Sequence, residues 1–170
     1  ILLKPFSDRS DLNVETILKD TSLLLHTIKI SEEADRIDYH SPALSSLRVR
    51  TFDVLLCGLR DPDKAKVISE HLQKDLEHGI VLPLRDQILY YTNLSVFSAM
   101  HSPDYKKALA YGKKASNLIE TEDEMYEEKI RLIANQIQYY SLIGNLENCE
   151  PLVKRGKVLL PLSQSIAYNT

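Results

Sequence analysis

Apolar residues along most of this chain recur every three or four positions rather than every second position. That spacing lines one side of an α-helix, whereas a strand with one buried face needs strict alternation. The pattern therefore predicts an all-α fold with a leading helix, a short helix or loop, and three helix pairs, each made of a helix A followed by a helix B. The leading helix is predicted at 12 to 30 and the short segment at 31 to 40. The A helices are predicted at 43 to 59, 84 to 101 and 122 to 143. The B helices are predicted at 62 to 78, 103 to 119 and 146 to 160.

Polar residues followed by proline mark two of the predicted B-helix starts. Asp61 precedes Pro62, and Ser102 precedes Pro103. A short polar side chain at the N-cap accepts a hydrogen bond from a free backbone N–H, and proline fits the first helical position because its missing N–H has no partner there. Both dipeptides therefore predict helix starts.

Further signals concern the last third of the chain. Thr121 and Glu124 have the spacing of a capping box and predict the start of the third helix A. Pro151 falls inside the predicted third helix B, so that helix either starts late or is kinked. A further helix is expected to begin after Pro161 and to be cut off at Thr170.

Three stretches of the chain resemble one another and indicate an internal repeat. They read "GLRDPDKAKVISEHL" around Ala65, "HSPDYKKALAYGKKA" around Ala108 and "IGNLENCEPLVKRGK" around Cys149, with spacings of 43 and 41 residues. A period of about 40 residues is typical of arrays of helix pairs. We predict one helical repeat domain over residues 1–170, with units at about 43–80, 83–120 and 122–160 and a truncated helix from 162, and we expect it to be a fragment of a longer protein.

The stretch "PDYKKALAYGKKA" resembles the second half of a tetratricopeptide repeat. The resemblance implies a right-handed superhelix of antiparallel helix pairs, in which small residues allow adjacent helices to approach closely. The first and third units match the repeat pattern at fewer positions, and the spacing of 41 to 43 residues exceeds the usual repeat of about 34, so the chain resembles a degenerate tetratricopeptide array. The residues expected at the packing positions of the repeats are Ala65, Tyr105, Ala108, Tyr111, Ala115 and Gly144.

Such an irregular array is similar to the C-terminal sensor region of peptide-sensing transcription regulators of Gram-positive bacteria, the Rgg and PlcR kind. That resemblance implies a short peptide in a concave groove, a homodimer, and a DNA-binding helix-turn-helix domain upstream, with no direct nucleic-acid contact by this segment. The alternative is a protein–protein scaffold or a subunit of a larger complex built from the same repeats.

Polar residues of the A helices are the candidate contacts in that groove. Arg50 and Asn93 are 43 residues apart, and Asn93 and Asn135 are 42 apart, so all three occupy equivalent repeat positions. Asparagine offers donors and an acceptor to a peptide backbone, and arginine can form a fork with a carboxylate. Ordinary polar positions on half-exposed helices are the alternative interpretation. The predicted peptide or partner contacts are Arg50, Asn93, Phe97, Arg131, Asn135 and Gln138.

Composition narrows the class of partner and the cellular setting. The 21 basic and 24 acidic residues of the 170-residue chain give a net charge of -3, which offers no field to attract nucleic acid. The only cysteines, Cys57 and Cys149, suit reduced thiols of a cytoplasmic protein, although a disulfide remains open. No signal peptide or membrane-spanning run is present in the sequence, so we expect a soluble protein without membrane contact.

Motifs for catalysis or cofactors are absent from the sequence. None of GxGxxG, GxxxxGK[ST], GxSxG, DxDxDG or HExxH occurs. Five histidines are present, and His71 and His78 lie two turns apart on one predicted helix, but two such residues cannot complete a zinc site alone. The sequence therefore predicts a binding protein that is not an enzyme, with no cofactor and no metal.

Overall fold

The computed structural model describes residues 14–101, 103–120, 122 and 125–167, with side chains described within 25–162 of those ranges. The described residues contain α-helices and no strands, which confirms the all-α prediction. None of the described helices is both long and apolar enough to cross a membrane. The helices are α1 (Val14–Arg36), α2 (Pro42–Asp53), α3 (Pro62–Glu77), α4 (Leu84–His101), α5 (Tyr105–Ile119), α6 (Tyr126–Leu142) and α7 (Cys149–Ala167).

Consecutive helices pack against each other as pairs. The pairs are α2 with α3, α4 with α5, and α6 with α7. Neighbouring pairs are joined because α2 and α6 each pack on α4, and α5 packs on α6. The leading helix α1 packs on both α2 and α3. Since short turns connect the members of each pair, the two helices of a pair run in opposite directions.

The capping residues differ partly from the prediction. Asp61 caps α3 as expected, accepting a hydrogen bond from the backbone N–H of Lys64 at 3.1 Å. Helix α5, however, is capped by Asp104, which accepts from the N–H of Lys107 at 2.9 Å. The prediction that Ser102 and the following proline start this helix is therefore wrong, because the next carboxylate in the chain takes the capping position; Ser102 itself lies outside the described residues.

Two other helix boundaries also differ. Helix α1 continues to Arg36 instead of ending at 30, since its last turns pack on the first pair. Helix α6 begins at Tyr126 with Met125 at the N-cap, four residues later than predicted. Thr121 and Glu124, the proposed capping box, lie outside the described residues.

The two prolines near the chain's end occupy different helical positions. A 3-10 turn covers Leu146–Asn148, and α7 then begins at Cys149, so Pro151 lies in its first turn. Backbone N–H groups there have no helical partner, and proline costs little. Pro161 lies inside α7, which continues to Ala167. The expected new helix after Pro161 is therefore wrong within the described residues.

The first helix A ends in a wider turn than a regular helix. Residues Val54–Gly58 form a π-helical turn after α2, in which the N–H of Leu59 bonds to the carbonyl of Val54 at 2.8 Å. Such a turn accommodates one extra residue and rotates the side chains that flank it. Asp53, directly before the turn, is one of the residues on the face described below.

Two apolar clusters hold the helices together. The first joins α2, α3 and α4, and the second joins α4, α5 and α6. Helix α4 contributes to both, so it links the first pair to the third helix A. The buried members are Val49, Phe52, Leu55, Leu56, Ala65, Ile68, Leu72, Leu82 and Tyr90 in the first cluster, and Ile88, Ala115, Ile119 and Leu132 in the second.

Small residues lie where the helices approach most closely. Ala65, Ala108 and Ala115 are fully buried. Gly112, which the sequence analysis did not single out, is also buried, and a Cβ there would lie 3.3 Å from the Ser95 hydroxyl oxygen. Helices α3 and α5 can therefore pack closely against their neighbours only with little or no side chain at these positions.

The remaining packing candidates have different roles. Tyr105 and Tyr111 are half-buried and stack on Tyr139 and Tyr91, with ring centroids 6.1 and 6.4 Å apart. Gly144 is exposed with a φ of 74°, and a Cβ there would meet nothing within 4 Å. Its predicted packing role is therefore wrong: it ends α6, where a positive φ favours glycine.

A buried ion pair connects α1, α2 and α3. Arg48 and Asp75 are fully buried, and Nη1 of Arg48 donates to Oδ1 of Asp75 at 2.6 Å. Ser45 donates to Oδ2 of the same carboxylate at 2.6 Å, and Nη2 of Arg48 donates to the Ser31 carbonyl at 2.9 Å. Each charge thus has several partners, as buried ions require.

Breaking this pair should strongly destabilise the fold. In Arg48→Met the Asp75 carboxylate stays buried without its cation, and we expect a loss of about 3–5 kcal/mol in the free energy of unfolding. The double variant Arg48→Met/Asp75→Leu should recover most of that loss, because no buried charge remains. Urea denaturation measures both, with Arg50→Met as the exposed control on the same helix. Equal losses in Arg48→Met and Arg50→Met would contradict the assigned role.

A larger side chain at Ala108 should separate α5 from α4. We expect Ala108→Leu to destabilise the protein by about 1–3 kcal/mol through overpacking. Ala110→Leu is the matched control, since Ala110 lies on the same helix but is exposed. Thermal unfolding of the two variants compares them, and an equal effect at both positions would show that the α4–α5 contact is not tightly packed.

Candidate functional site: the polar face of the A helices

Polar side chains of α2, α4 and α6 meet on one side of the helix pairs. Nη2 of Arg50 on α2 lies 3.6 Å from Oδ1 of Asp86 on α4. Nη1 of Arg131 on α6 lies 3.6 Å from Oδ1 of Asp53 on α2. The ion pair between Arg131 and Asp53 spans α4, because α2 and α6 each pack on that helix. We call the set Arg50, Asp53, Asp86, Asn93, Arg131 and Asn135 the A-helix face.

Helical spacing explains how these residues share a side. Arg50 and Asp53 are three apart on α2, and Asp86 and Asn93 are seven apart, or about two turns, on α4. Residues at such spacings project from the same side of a helix. Arg131 lies one turn before Asn135 on α6. Each of the three A helices therefore contributes two polar residues.

Burial differs sharply among the predicted contacts. Arg50 and Gln138 are exposed, whereas Arg131 and Asn135 are half-buried. Asn93 is fully buried. The expectation that Asn93 is exposed in an open groove is therefore wrong, because side chains around α4 cover it. A partner reaches its amide only after neighbouring side chains move aside.

Phe97 contributes to the core. It is half-buried, lies edge-on to Phe52 with ring centroids 5.9 Å apart, and stacks on His101 at 4.9 Å. The structure thus places it at the margin of the first apolar cluster. Of the six predicted contacts, Arg50, Asn93, Arg131 and Asn135 belong to the A-helix face.

Buried polar atoms without a hydrogen bond are concentrated on this face. Eight buried side-chain nitrogen and oxygen atoms have no hydrogen-bond partner among the described residues, and five of them belong to Asp53, Asn93 and Arg131. These five are Oδ1 of Asp53, both polar atoms of the Asn93 amide, and Nε and Nη2 of Arg131. A buried polar atom without a partner costs about 1–3 kcal/mol.

The tyrosines near this face do not supply a base at neutral pH. Burial raises the pKa of Tyr90 to about 12. Burial also raises the pKa of Tyr139, against a weaker opposing effect of a hydrogen bond with Ser95. Both phenols therefore stay protonated and act as hydrogen-bond donors.

Sequence reasoning missed the two acids of the face. Asp86 pairs with Arg50, which the repeat register had singled out, and Asp53 pairs with Arg131, another of the predicted contacts. The available signal was spacing, since Asp53 follows Arg50 by one turn and Asp86 precedes Asn93 by two. Spacing within one helix does not show which residue of another helix each acid will contact.

Comparison with known proteins gives no relative for this chain. No family model, no curated protein and no solved structure matches it.

Removing the unpaired amide of Asn93 should stabilise the isolated protein. Leucine has the same branching and carries no polar atom, so Asn93→Leu should raise the free energy of unfolding by about 1 kcal/mol. Urea denaturation measures the change. Thr92→Val is the control, because it removes a buried polar group that does have a partner: the Thr92 hydroxyl donates to the Ile88 carbonyl at 2.8 Å. A clear destabilisation by Asn93→Leu would mean that the amide is already satisfied.

Proposed function

We propose that this chain is a non-catalytic binding module whose A-helix face takes a short, extended peptide segment. The proposed architecture is a right-handed superhelix of tetratricopeptide-like helix pairs, with α2, α4 and α6 along its concave side. The supporting observation is the concentration, on Asp53, Asn93 and Arg131, of buried polar atoms that form no hydrogen bond within the described residues. A partner that pairs with them removes a cost that the isolated protein carries.

The chemistry of these groups matches a peptide backbone. The Asp53 carboxylate accepts hydrogen bonds from N–H groups, and the Arg131 guanidinium donates to carbonyl or carboxylate oxygens. The Asn93 amide does both. Two arginines and two aspartates balance the charge of the face, so recognition relies on hydrogen bonds rather than on a net field.

The ion pair between Arg131 and Asp53 is loose enough to open for a partner. Its 3.6 Å separation exceeds that of a hydrogen bond, and the two side chains are 38% and 30% exposed. A pair of this kind contributes little to stability. Displacing the Arg131 side chain therefore costs little.

The regulatory role implied by the sequence resemblance is part of this proposal. We place the module in a cytoplasmic transcriptional regulator, as the peptide-sensing and dimerisation region, with DNA contacts made by another segment. The near-neutral charge of the chain, with 21 basic and 24 acidic residues, is compatible with a segment that does not itself contact DNA.

Selection from a phage-displayed library of random short peptides tests the binding function. Peptides selected on the full chain should bind at least about tenfold more weakly to Arg131→Gln, because a charge-assisted hydrogen bond of about 1.5–3 kcal/mol is lost. Calorimetry measures the affinity. Arg36→Gln is the charge-matched control on an exposed position of α1 and should bind normally. Equal affinity for both variants would overturn the assignment of the site.

The exposed apolar residues on and beside α7 favour a second candidate function, that of a scaffold subunit. Val153 and Val158 on that helix are exposed, and so are Leu142 and Leu146 beside it. An apolar surface of this kind is typical of a contact with another chain or a further repeat. Failure to select any peptide, together with self-association that Val158→Lys abolishes, would favour this alternative.

A further inference from the structure

A cluster of two histidines and one aspartate lies where α1 and α3 end, and it includes no residue of the A-helix face. Asp38 and His40 follow α1, and His78 is the C-cap residue of α3. One donor atom from each of the three side chains lies within 4.8 Å of the other two. Nε2 of His40 is 3.0 Å and Nε2 of His78 is 3.8 Å from Oδ1 of Asp38.

We propose that Asp38, His40 and His78 form a zinc-binding site, with water at the fourth position. Two imidazole nitrogens and one carboxylate oxygen are ligands that Zn²⁺ prefers. A tetrahedral ion with bonds of about 2.0–2.1 Å places its ligand atoms about 3.3 Å apart. The two measured separations lie on either side of that value.

Hydrogen bonds at the far side of both rings set the tautomer that a metal requires. Nδ1 of His78 lies 2.8 Å from the Lys74 carbonyl oxygen, which can only accept, so Nδ1 carries the proton. Nδ1 of His40 lies 2.7 Å from Oδ1 of Asp75, a carboxylate already paired with Arg48. With Nδ1 protonated, Nε2 is the atom left for a metal: in His78 it carries a lone pair, and in His40 the metal would replace any proton shared with Asp38.

Nε2 of His40 lies within hydrogen-bond distance of Oδ1 of Asp38, so a protonated His40 donates to this carboxylate in the metal-free protein and Zn²⁺ would replace that proton. The carbonyl ends of α1 and α3 add further partial negative charge at this place. The carboxylate of Asp38 and these helix ends together favour a divalent ion at this place.

Ring orientation defines the one movement that binding needs. The His40 and His78 rings stack with centroids 3.9 Å apart and an angle of 18° between their planes. Both Nε2 atoms reach a common ion only if one ring tilts. The His78 side chain is 49% exposed and can tilt about its hydrogen bond to the Lys74 carbonyl oxygen, whereas His40 is held by Asp75.

The site escaped the sequence analysis because its ligands are distant in the chain. His40 and His78 are 38 residues apart and belong to no motif with metal-ligand spacing. Only the packing of α1 against α3 brings them together. The ion would tie these two elements to each other and would stabilise the folded state by binding to it alone.

Zinc titration of the full chain, after removal of metals with a chelator, tests the proposal. We expect one Zn²⁺ per chain by competition with a chromophoric chelator and a melting temperature raised by several degrees. Mg²⁺ should give neither effect, since it prefers oxygen ligands. Substitution by Co²⁺ should give the visible absorption of a tetrahedral site.

Variants locate the ion. His78→Ala and Asp38→Asn should each bind Zn²⁺ at least about tenfold more weakly. Both positions are exposed, and asparagine tolerates the positive φ of 53° at position 38, so the fold should persist. His26→Ala, which removes an exposed histidine of α1, should bind like the unchanged chain. Absence of Zn²⁺ binding at neutral pH, or equal binding by His26→Ala and His78→Ala, would overturn the proposal.

Discussion

The buried carboxylate of Asp75 is the constraint on which the first half of the structure depends. It accepts hydrogen bonds from Arg48 and Ser45 of α2 and lies within hydrogen-bond distance of His40 in the loop after α1. Arg48 in turn donates to the carbonyl of Ser31 on α1. A buried charge tolerates little displacement of its partners, so this network fixes the relative positions of three helices more strictly than apolar contacts alone.

The A-helix face and the proposed zinc site both adjoin that network. On α2, Arg48 is directed to the interior, while Arg50 and Asp53 belong to the A-helix face. At the end of α3, the Asp75 carboxylate orients His40 beside His78 and Asp38. The proposed peptide site and the proposed zinc site thus share a rigid support, but they have no residue in common.

The A-helix face combines weak, partly exposed ion pairs with a fully buried amide. Its ion pairs are longer than hydrogen bonds, and the Asn93 amide beneath has no partner among the described residues. A protein selected for stability alone would have apolar residues at such positions, because an unsatisfied polar group costs more than a well-packed side chain. Polar groups that lower stability in this way are expected where a protein keeps them to recognise a partner, as we propose for this face.

The sequence by itself determined the helices, because their apolar spacing and the cap at Asp61 are local features. It also located the small residues Ala65 and Ala108 at equivalent repeat positions, and Ala115 through the resemblance to the tetratricopeptide pattern. Only the tertiary structure decided that Asn93 is covered and that Arg131 reaches Asp53 across α4. It likewise decided that His40 and His78 meet. Burial and pairing between distant residues depend on how helices pack, and periodicity within one helix carries no information about the neighbour it will contact.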